Sequence, residues 1–368
     1  KCPIPQDVGH QTRSEKFRPD AVSEDDRKTL EIIKSMPRDE PWWEIGMDEY
    51  RRREQAGELL YKPRLLTERA KVLMIPSREP GRMINCRVFH PALTANRGKT
   101  RVLLNIHGGG WTVFSNKFQD PYLAHVADVC NHITLSVGYR LGPEFPFPAG
   151  PEDCFDVVVA DPNLTAEWLI VNSVSQLGAP FEFIDGSVGR QCSNVPTTDM
   201  YLYKSSGGHF AALTALHLRK SYPSFHLRGL VLKYGIFDLT YTNPSIVNAT
   251  DPIIVTRDAL KHTTEALVPR TSLQERQSPS ISPFYADLRS LTPLPPALFV
   301  CGTEDILIDD SVFFAAKWMM VISESAFKVL PGALHGFVDF EGMPFMKEGW
   351  DTITKFLVNL SVCEDATE

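Results

Sequence analysis

The chain has 368 residues, room for one large domain with an appendage or for two modest ones. Hydrophobic content of 43% and charged content of 23% are usual for a globular protein. A formal net charge of −7 argues against a nucleic-acid partner, which needs a basic face, and no apolar run approaches the ~20 residues of a membrane-spanning helix. Seven cysteines (Cys2, Cys86, Cys130, Cys154, Cys192, Cys301 and Cys363) are odd in number and scattered, with no Cys-x-x-Cys pair. That pattern predicts reduced core thiols rather than a disulfide frame or a zinc site, and hence a cytoplasmic chain. The first residue is Lys1, so a removed N-terminal signal stays open. The Asn-x-Ser/Thr sequons at Asn163, Asn248 and Asn359 carry little weight by themselves.

Residues 1–40 are polar, with a helical patch over Arg27–Met36 in which Leu30, Ile33 and Met36 share one side. Pro41-Trp42-Trp43, followed by Met47 and Tyr50, reads as an anchor onto the main body or as the roof of a pocket. Lys71–Pro76 and Met83–His90 alternate about the turn Arg78-Glu79-Pro80-Gly81, the pattern of an antiparallel hairpin. From residue 100 the pattern changes to short, mostly apolar runs: Val102–Ile106, Ile133–Tyr139, Met200–Tyr203, Gly229–Tyr234, Ala297–Cys301 and Ala326–Leu330. Helical segments lie between most of them, at Pro121–Cys130, Pro151–Val159, Gly207–Lys220 and Ser311–Met320. Buried strands alternating with helices predict an α/β fold, a mainly parallel sheet with helices on both faces. Two insertions interrupt the alternation. Pro162–Thr198 and Thr240–Pro296, the latter with a helical piece near Asp258–Leu267, are long enough to form a lid or a binding wall.

In such sheets the chemistry gathers at the carboxyl ends of the strands. Four features fall there. His107-Gly108-Gly109-Gly110-Trp111 is a glycine run whose N–H groups can face an anionic oxygen, or else a plain strand-to-helix turn. Ser205, in Lys204-Ser205-Ser206-Gly207-Gly208, sits at the apex of a strand–turn–helix, where a hydroxyl meets the unpaired N–H groups of a helix start. The bland alternative is a tight βα loop with an idle serine, and Ser206 is a rival nucleophile. Asp305 follows the Ala297–Cys301 strand; Asp309 and Asp310 compete with it but read as caps of the next helix. His335 follows the last strand and is a better base than His107, which precedes the serine. The chain order Ser205, Asp305, His335 supplies nucleophile, orienting carboxylate and general base in that sequence.

With those motifs in place, His107–Trp111 and Tyr139-Arg140-Leu141-Gly142-Pro143-Glu144 through Ala149 resemble the hormone-sensitive-lipase-like, HGGG-motif esterase branch of the α/β-hydrolases. Ser205–Gly208 aligns with the GDSAGG elbow of that branch, Gly302–Asp310 with its acid motif and His335-Gly336-Phe337 with its histidine motif. The resemblance covers roughly residues 70–355. It implies an α/β-hydrolase fold with a cap over 1–68, a catalytic domain over 69–368 carrying insertions near 162–198 and 240–296, no metal and no cofactor. It assigns Ser205, Asp305 and His335 as catalytic, and Gly108, Gly109 and Ser206 N–H groups as the oxyanion hole. Two positions depart from the pattern: Tyr203 stands where the first elbow glycine is usual, and Lys204 where the aspartate is.

The function expected is a serine hydrolase that cleaves a carboxylic ester or lactone of a small, mostly apolar molecule through an acyl-enzyme. Trp111, Tyr203 and Phe337 are expected at the substrate, with Phe114 and Phe210 nearby. A homodimer is compatible with the sequence. Rival readings are a lyase, cyclase or isomerase reusing the scaffold, an amide or formamide hydrolase, and a binding protein without turnover.

Overall fold

Among the described residues, the two hairpin strands and the six apolar runs pair into one sheet in the order β1-β2-β4-β3-β5-β6-β7-β8. The structure is a computed structural model that describes residues 14–60, 66–92, 101–158, 175–177, 200–223, 227–250, 252–322, 324–340 and 343–362; at 101, 200–204, 361 and 362 the backbone alone is described. Strands β1 (Lys71–Pro76) and β2 (Met83–Phe89) form the hairpin, in register from Lys71↔Val88 to Pro76↔Met83. β2 meets β4 (His132–Val137) antiparallel. Every later pairing is parallel, through β3 (Arg101–Ile106), β5 (Met200–Lys204), β6 (Leu230–Lys233), β7 (Ala297–Gly302) and β8 (Ala326–Leu330).

Strands β4, β6, β7 and β8 are buried at every residue. Since successive side chains point to opposite faces, that burial requires cover on both. The cover comes from helices α4 (Asp120–Cys130), α5 (Ala149–Val158), α6 (Ser206–Ser221), α10 (Ile308–Met319) and α11 (Pro344–Val362). α4 packs against α11, and α5 against α6. The α/β arrangement expected from the apolar runs is therefore the one observed.

Ahead of the sheet lie α1 (Glu24–Ser35), α2 (Trp42–Ile45) and α3 (Met47–Ala56). α1 starts where the Ser23 hydroxyl accepts from Asp26 N–H at 3.0 Å, and it buries Leu30 and Ile33 of the expected face, whereas Met36 follows the last helical residue and is exposed. α3 ends at Gly57, whose left-handed backbone returns its N–H to the Arg53 and Glu54 carbonyls. The second insertion contains α7 (Pro244–Val247), α8 (Arg257–Leu267) and α9 (Leu273–Arg276). The first insertion, 162–198, lies outside the described residues except at 175–177. Cys86, Cys130, Cys154 and Cys301 are free thiols in the core, while Cys2, Cys192 and Cys363 fall outside the described residues.

Candidate active site

β5 ends at Lys204 and α6 begins at Ser206, leaving one residue to turn the chain. Ser205 occupies it with φ 53° and ψ −126°, a backbone shape that L-residues avoid and that recurs at functional turns. Its N–H donates to the Lys233 carbonyl on the neighbouring strand at 3.0 Å, and Gly208 N–H closes the turn onto the Ser205 carbonyl at 2.9 Å. The start of α6 can come this close only because residue 207 is glycine. A Cβ there would lie 2.2 Å from the Ile106 carbonyl oxygen and 2.7 Å from that of His107.

The carboxylate and the imidazole arrive on two loops that are stitched together. Glu304 N–H donates to the Ala333 carbonyl at 3.0 Å, Thr303 N–H to Leu330 at 3.1 Å, and Gly332 N–H to the Thr303 hydroxyl at 2.9 Å. A Cβ on Gly302 would fall 1.9 Å from the Ala333 oxygen, so glycine is what lets the loops touch. The stitching leaves Asp305 buried, with Oδ1 accepting from Leu307 N–H at 2.9 Å and Oδ2 lying 2.8 Å from His335 Nδ1. His335 Nε2 is 2.9 Å from Ser205 Oγ. The Tyr234 ring meets the imidazole edge-on, centroids 4.9 Å apart. One continuous chain of hydrogen bonds thus runs from hydroxyl to imidazole to buried carboxylate.

Facing it, the glycine run turns sharply. Gly109 and Gly110 have φ 120° and 56°, and a Cβ on Gly109 would lie 2.2 Å from the Val113 oxygen. Thr112 and Val113 N–H groups both return to the Gly109 carbonyl, at 3.1 and 3.0 Å. Gly108 and Gly109 N–H groups have no acceptor among the described residues. From below, the Tyr139 hydroxyl donates to the His107 carbonyl at 2.8 Å. Arg140 ties the next turn to Asp153 at 2.9 Å and Glu79 at 2.6 Å, so the Tyr139–Ala149 segment braces the glycine run.

Ser205, His335 and the glycine run open into a cavity of about 350 Å³. Its walls come from both flanking regions: Trp42, Trp43 and Tyr50 ahead of the sheet, and Ile253–Thr256 and Leu260 from the second insertion. Trp43 stacks on His262 of α8 with centroids 4.5 Å apart, so the two tryptophans both fasten the N-terminal helices and roof the cavity. Burial and the nearby Asp39 and Glu54 carboxylates push the Tyr50 phenol up to about 12.

The expected aromatic contacts distribute differently. Phe114 lines the cavity. Trp111 and Phe337 do not: Trp111 is fully buried edge-on to His209, and Phe337 packs against Tyr234. Phe210 is likewise core, edge-on to Tyr139. In the loop, Trp111 and Phe114 both take positive φ, at 62° and 65°, and such torsions, which set side-chain direction, are not displayed by spacing along the chain. The Tyr203 and Lys204 side chains lie outside the described ones. Ser206 is 0% exposed, so its side chain stays in the core while its N–H stands at the helix start. Asp309 and Asp310 do not cap their own helix. They accept from Ser245 N–H and Phe237 N–H, each at 2.7 Å, and burial holds the Asp310 carboxyl well above the usual range. Among the described residues no group of three or more His, Cys, Asp or Glu side chains could hold a metal.

Residues 103–339 match the family described as alpha/beta hydrolase fold. The chain belongs to that family. Within the α/β-hydrolases it falls in the hormone-sensitive-lipase-like esterase branch, as its relatives indicate. It is 25% identical over 272 residues to an esterase of Acinetobacter venetianus, covering 73% of this chain and 78% of the relative. It is 26% identical over 259 residues to the carboxylesterase NlhH of Mycobacterium tuberculosis, covering 70% and 72%. The solved structure of a hyperthermophilic esterase from the archaeon Pyrobaculum calidifontis superposes with a TM-score of 0.73 at 25% identity, over 93% of this chain and 99% of that one. No helix among the described residues of this α/β-hydrolase is long and apolar enough to cross a membrane.

The sequence reading missed Arg51, Glu54 and Tyr234. Arg51 and Glu54 lie on α3, whose run of charged residues around Met47 and Tyr50 reads in sequence as a solvated face. Tyr234 had a signal only in its backbone, φ 37°, which a sequence does not display.

Proposed function

We propose that this α/β-hydrolase cleaves a carboxylic ester or lactone by a serine mechanism, with residues 1–68 acting as a cap over a catalytic domain of 69–368. The observation that carries the proposal is the relay Ser205 Oγ–His335 Nε2 at 2.9 Å and His335 Nδ1–Asp305 Oδ2 at 2.8 Å at the floor of a cavity. The relatives named above are esterases, which favours ester substrates.

In this mechanism His335 takes the proton of Ser205 as Oγ attacks the carbonyl carbon, while Asp305 holds the Nδ1–H tautomer and stabilises the imidazolium. Gly108, Gly109 and Ser206 N–H groups receive the oxyanion, each donor typically worth ~3 kcal/mol in the transition state. Collapse expels the alcohol, protonated by His335, and leaves an acyl group on Ser205. Water, activated by the same imidazole, then releases the acid. Trp42, Trp43, Phe114, Ile253, Ile254 and Leu260 on the walls favour a small, mostly apolar substrate.

Ser205→Ala tests the reading on a short-chain p-nitrophenyl ester and with a fluorophosphonate probe. Turnover and labelling should both vanish, and labelling of the wild type should require His335. Unchanged turnover in Ser205→Ala would exclude Ser205 as nucleophile, and a folded wild type that takes up no probe would exclude acyl chemistry.

A further inference from the structure

The glycine run is held from the cap side by two charged residues of α3. Arg51 donates from Nε and Nη2 to the Thr112 carbonyl at 3.1 and 2.8 Å, and from Nη2 to the Gly142 carbonyl at 3.0 Å. The same guanidinium forks onto Glu144 at 2.8 and 3.0 Å. One turn further along α3, Glu54 Oε2 accepts from Phe114 N–H at 3.2 Å. Gly142 in turn donates to the Trp111 carbonyl at 2.9 Å, so residues 111, 112 and 114 are all pinned from outside the loop.

Those pins sit where the backbone needs them. Gly109, Gly110, Trp111 and Phe114 have φ of 120°, 56°, 62° and 65°. Glycine takes such values freely, but tryptophan and phenylalanine do not, and backbone of this kind persists only where its surroundings over-determine it. No residue of α3 is fully buried, and Arg51 and Glu54 tie the helix to the body through hydrogen bonds. Burial also raises the Glu54 carboxyl above its usual range, as expected for a carboxylate withdrawn from water to make this contact.

We propose that Arg51 and Glu54 are positioning residues: they clamp residues 112 and 114 and so fix the direction in which Gly108 and Gly109 present their N–H groups to the cavity. This rests on the ester-hydrolase reading for its catalytic consequence. The cap is then part of the oxyanion device as well as a roof over it.

The test compares Arg51→Met, Glu54→Leu and Glu54→Gln with the wild type, in turnover of p-nitrophenyl butyrate and in amide hydrogen exchange followed by mass spectrometry. Arg51→Met and Glu54→Leu should lower kcat on the order of 10²-fold, the cost of a misplaced donor, with KM nearly unchanged. Exchange should quicken in peptides spanning 106–118 and stay at wild-type rates over the sheet. Glu54→Gln, which keeps an acceptor for Phe114 N–H, should retain most of the wild-type kcat and protection. The clamp is overturned if 106–118 exchange is unchanged in both Arg51→Met and Glu54→Leu, or if Glu54→Gln fails as badly as Glu54→Leu. A wild type without esterase turnover whose loop still loosens in both variants would retain the clamp and remove the hydrolase reading instead.

Discussion

Replacing Asp305 by asparagine isolates the carboxylate's part in the relay without changing its shape. Oδ1 accepts from Leu307 N–H at 2.9 Å, so the asparagine carbonyl oxygen is drawn to that site and the amide nitrogen falls opposite His335 Nδ1. Two N–H donors cannot face each other, and the imidazole answers by moving its proton to Nε2. Nε2–H then points at Ser205 Oγ, 2.9 Å away, and can no longer accept the serine proton. The loss expected from a wrong tautomer is about 10⁴-fold in kcat, or about 5 kcal/mol. The assay is steady-state hydrolysis of a p-nitrophenyl ester alongside a thermal melt, with KM and Tm close to wild type. Asp310→Asn is the control: its carboxyl group accepts from Phe237 N–H at 2.7 Å and takes no part in the relay, and an asparagine oxygen can accept the same bond, so kcat should stay in place. A loss of under tenfold in Asp305→Asn, or an equal loss in Asp310→Asn, would refute the assignment of the carboxylate.

Gly302→Ala should part the two loops, because the new methyl would lie 1.9 Å from the Ala333 oxygen where ordinary contact is 3.4–4 Å. Losing the three bonds that stitch the loops costs about 3 kcal/mol at ~1 kcal/mol each, so Tm and esterase activity should fall together; a variant that melts like the wild type would contradict the close contact. His209 gives a pH signature. It is fully buried with Nε2 2.5 Å from the Ile281 carbonyl, and burial lowers it to about 4 from 6.5. The unfolded chain therefore takes up this proton first as pH falls, and stability is lost progressively from pH 6.5 toward 4, by about 3 kcal/mol. His209→Gln should flatten the slope of Tm against pH over that window, and an unchanged slope would place its origin elsewhere.

Much of the molecule was legible before folding because its signals are local. A strand covered on both faces is mostly apolar along its whole length, and β4, β7 and β8 appear in the sequence as such runs with their ends nearly in place. The close approaches at Gly207 and Gly302 left glycines at the motifs, since any Cβ would collide there. The relay was suggested by residue order, for each member follows its own strand. Side-chain direction was not legible. Trp111 and Phe114 are three residues apart in one loop, yet one is core and the other faces the cavity. α3 was equally silent, because its work is done by charged groups whose partners lie 60 to 93 residues away.

The sequence by itself determined the sheet, the order of its chemical groups and the places where no side chain could stand, because steric exclusion and two-sided burial are written residue by residue. Only the tertiary structure decided which atoms face the cavity and which helix steadies the glycine run. Those outcomes depend on backbone torsions and on contacts between distant segments, and neither leaves a periodic trace in the chain.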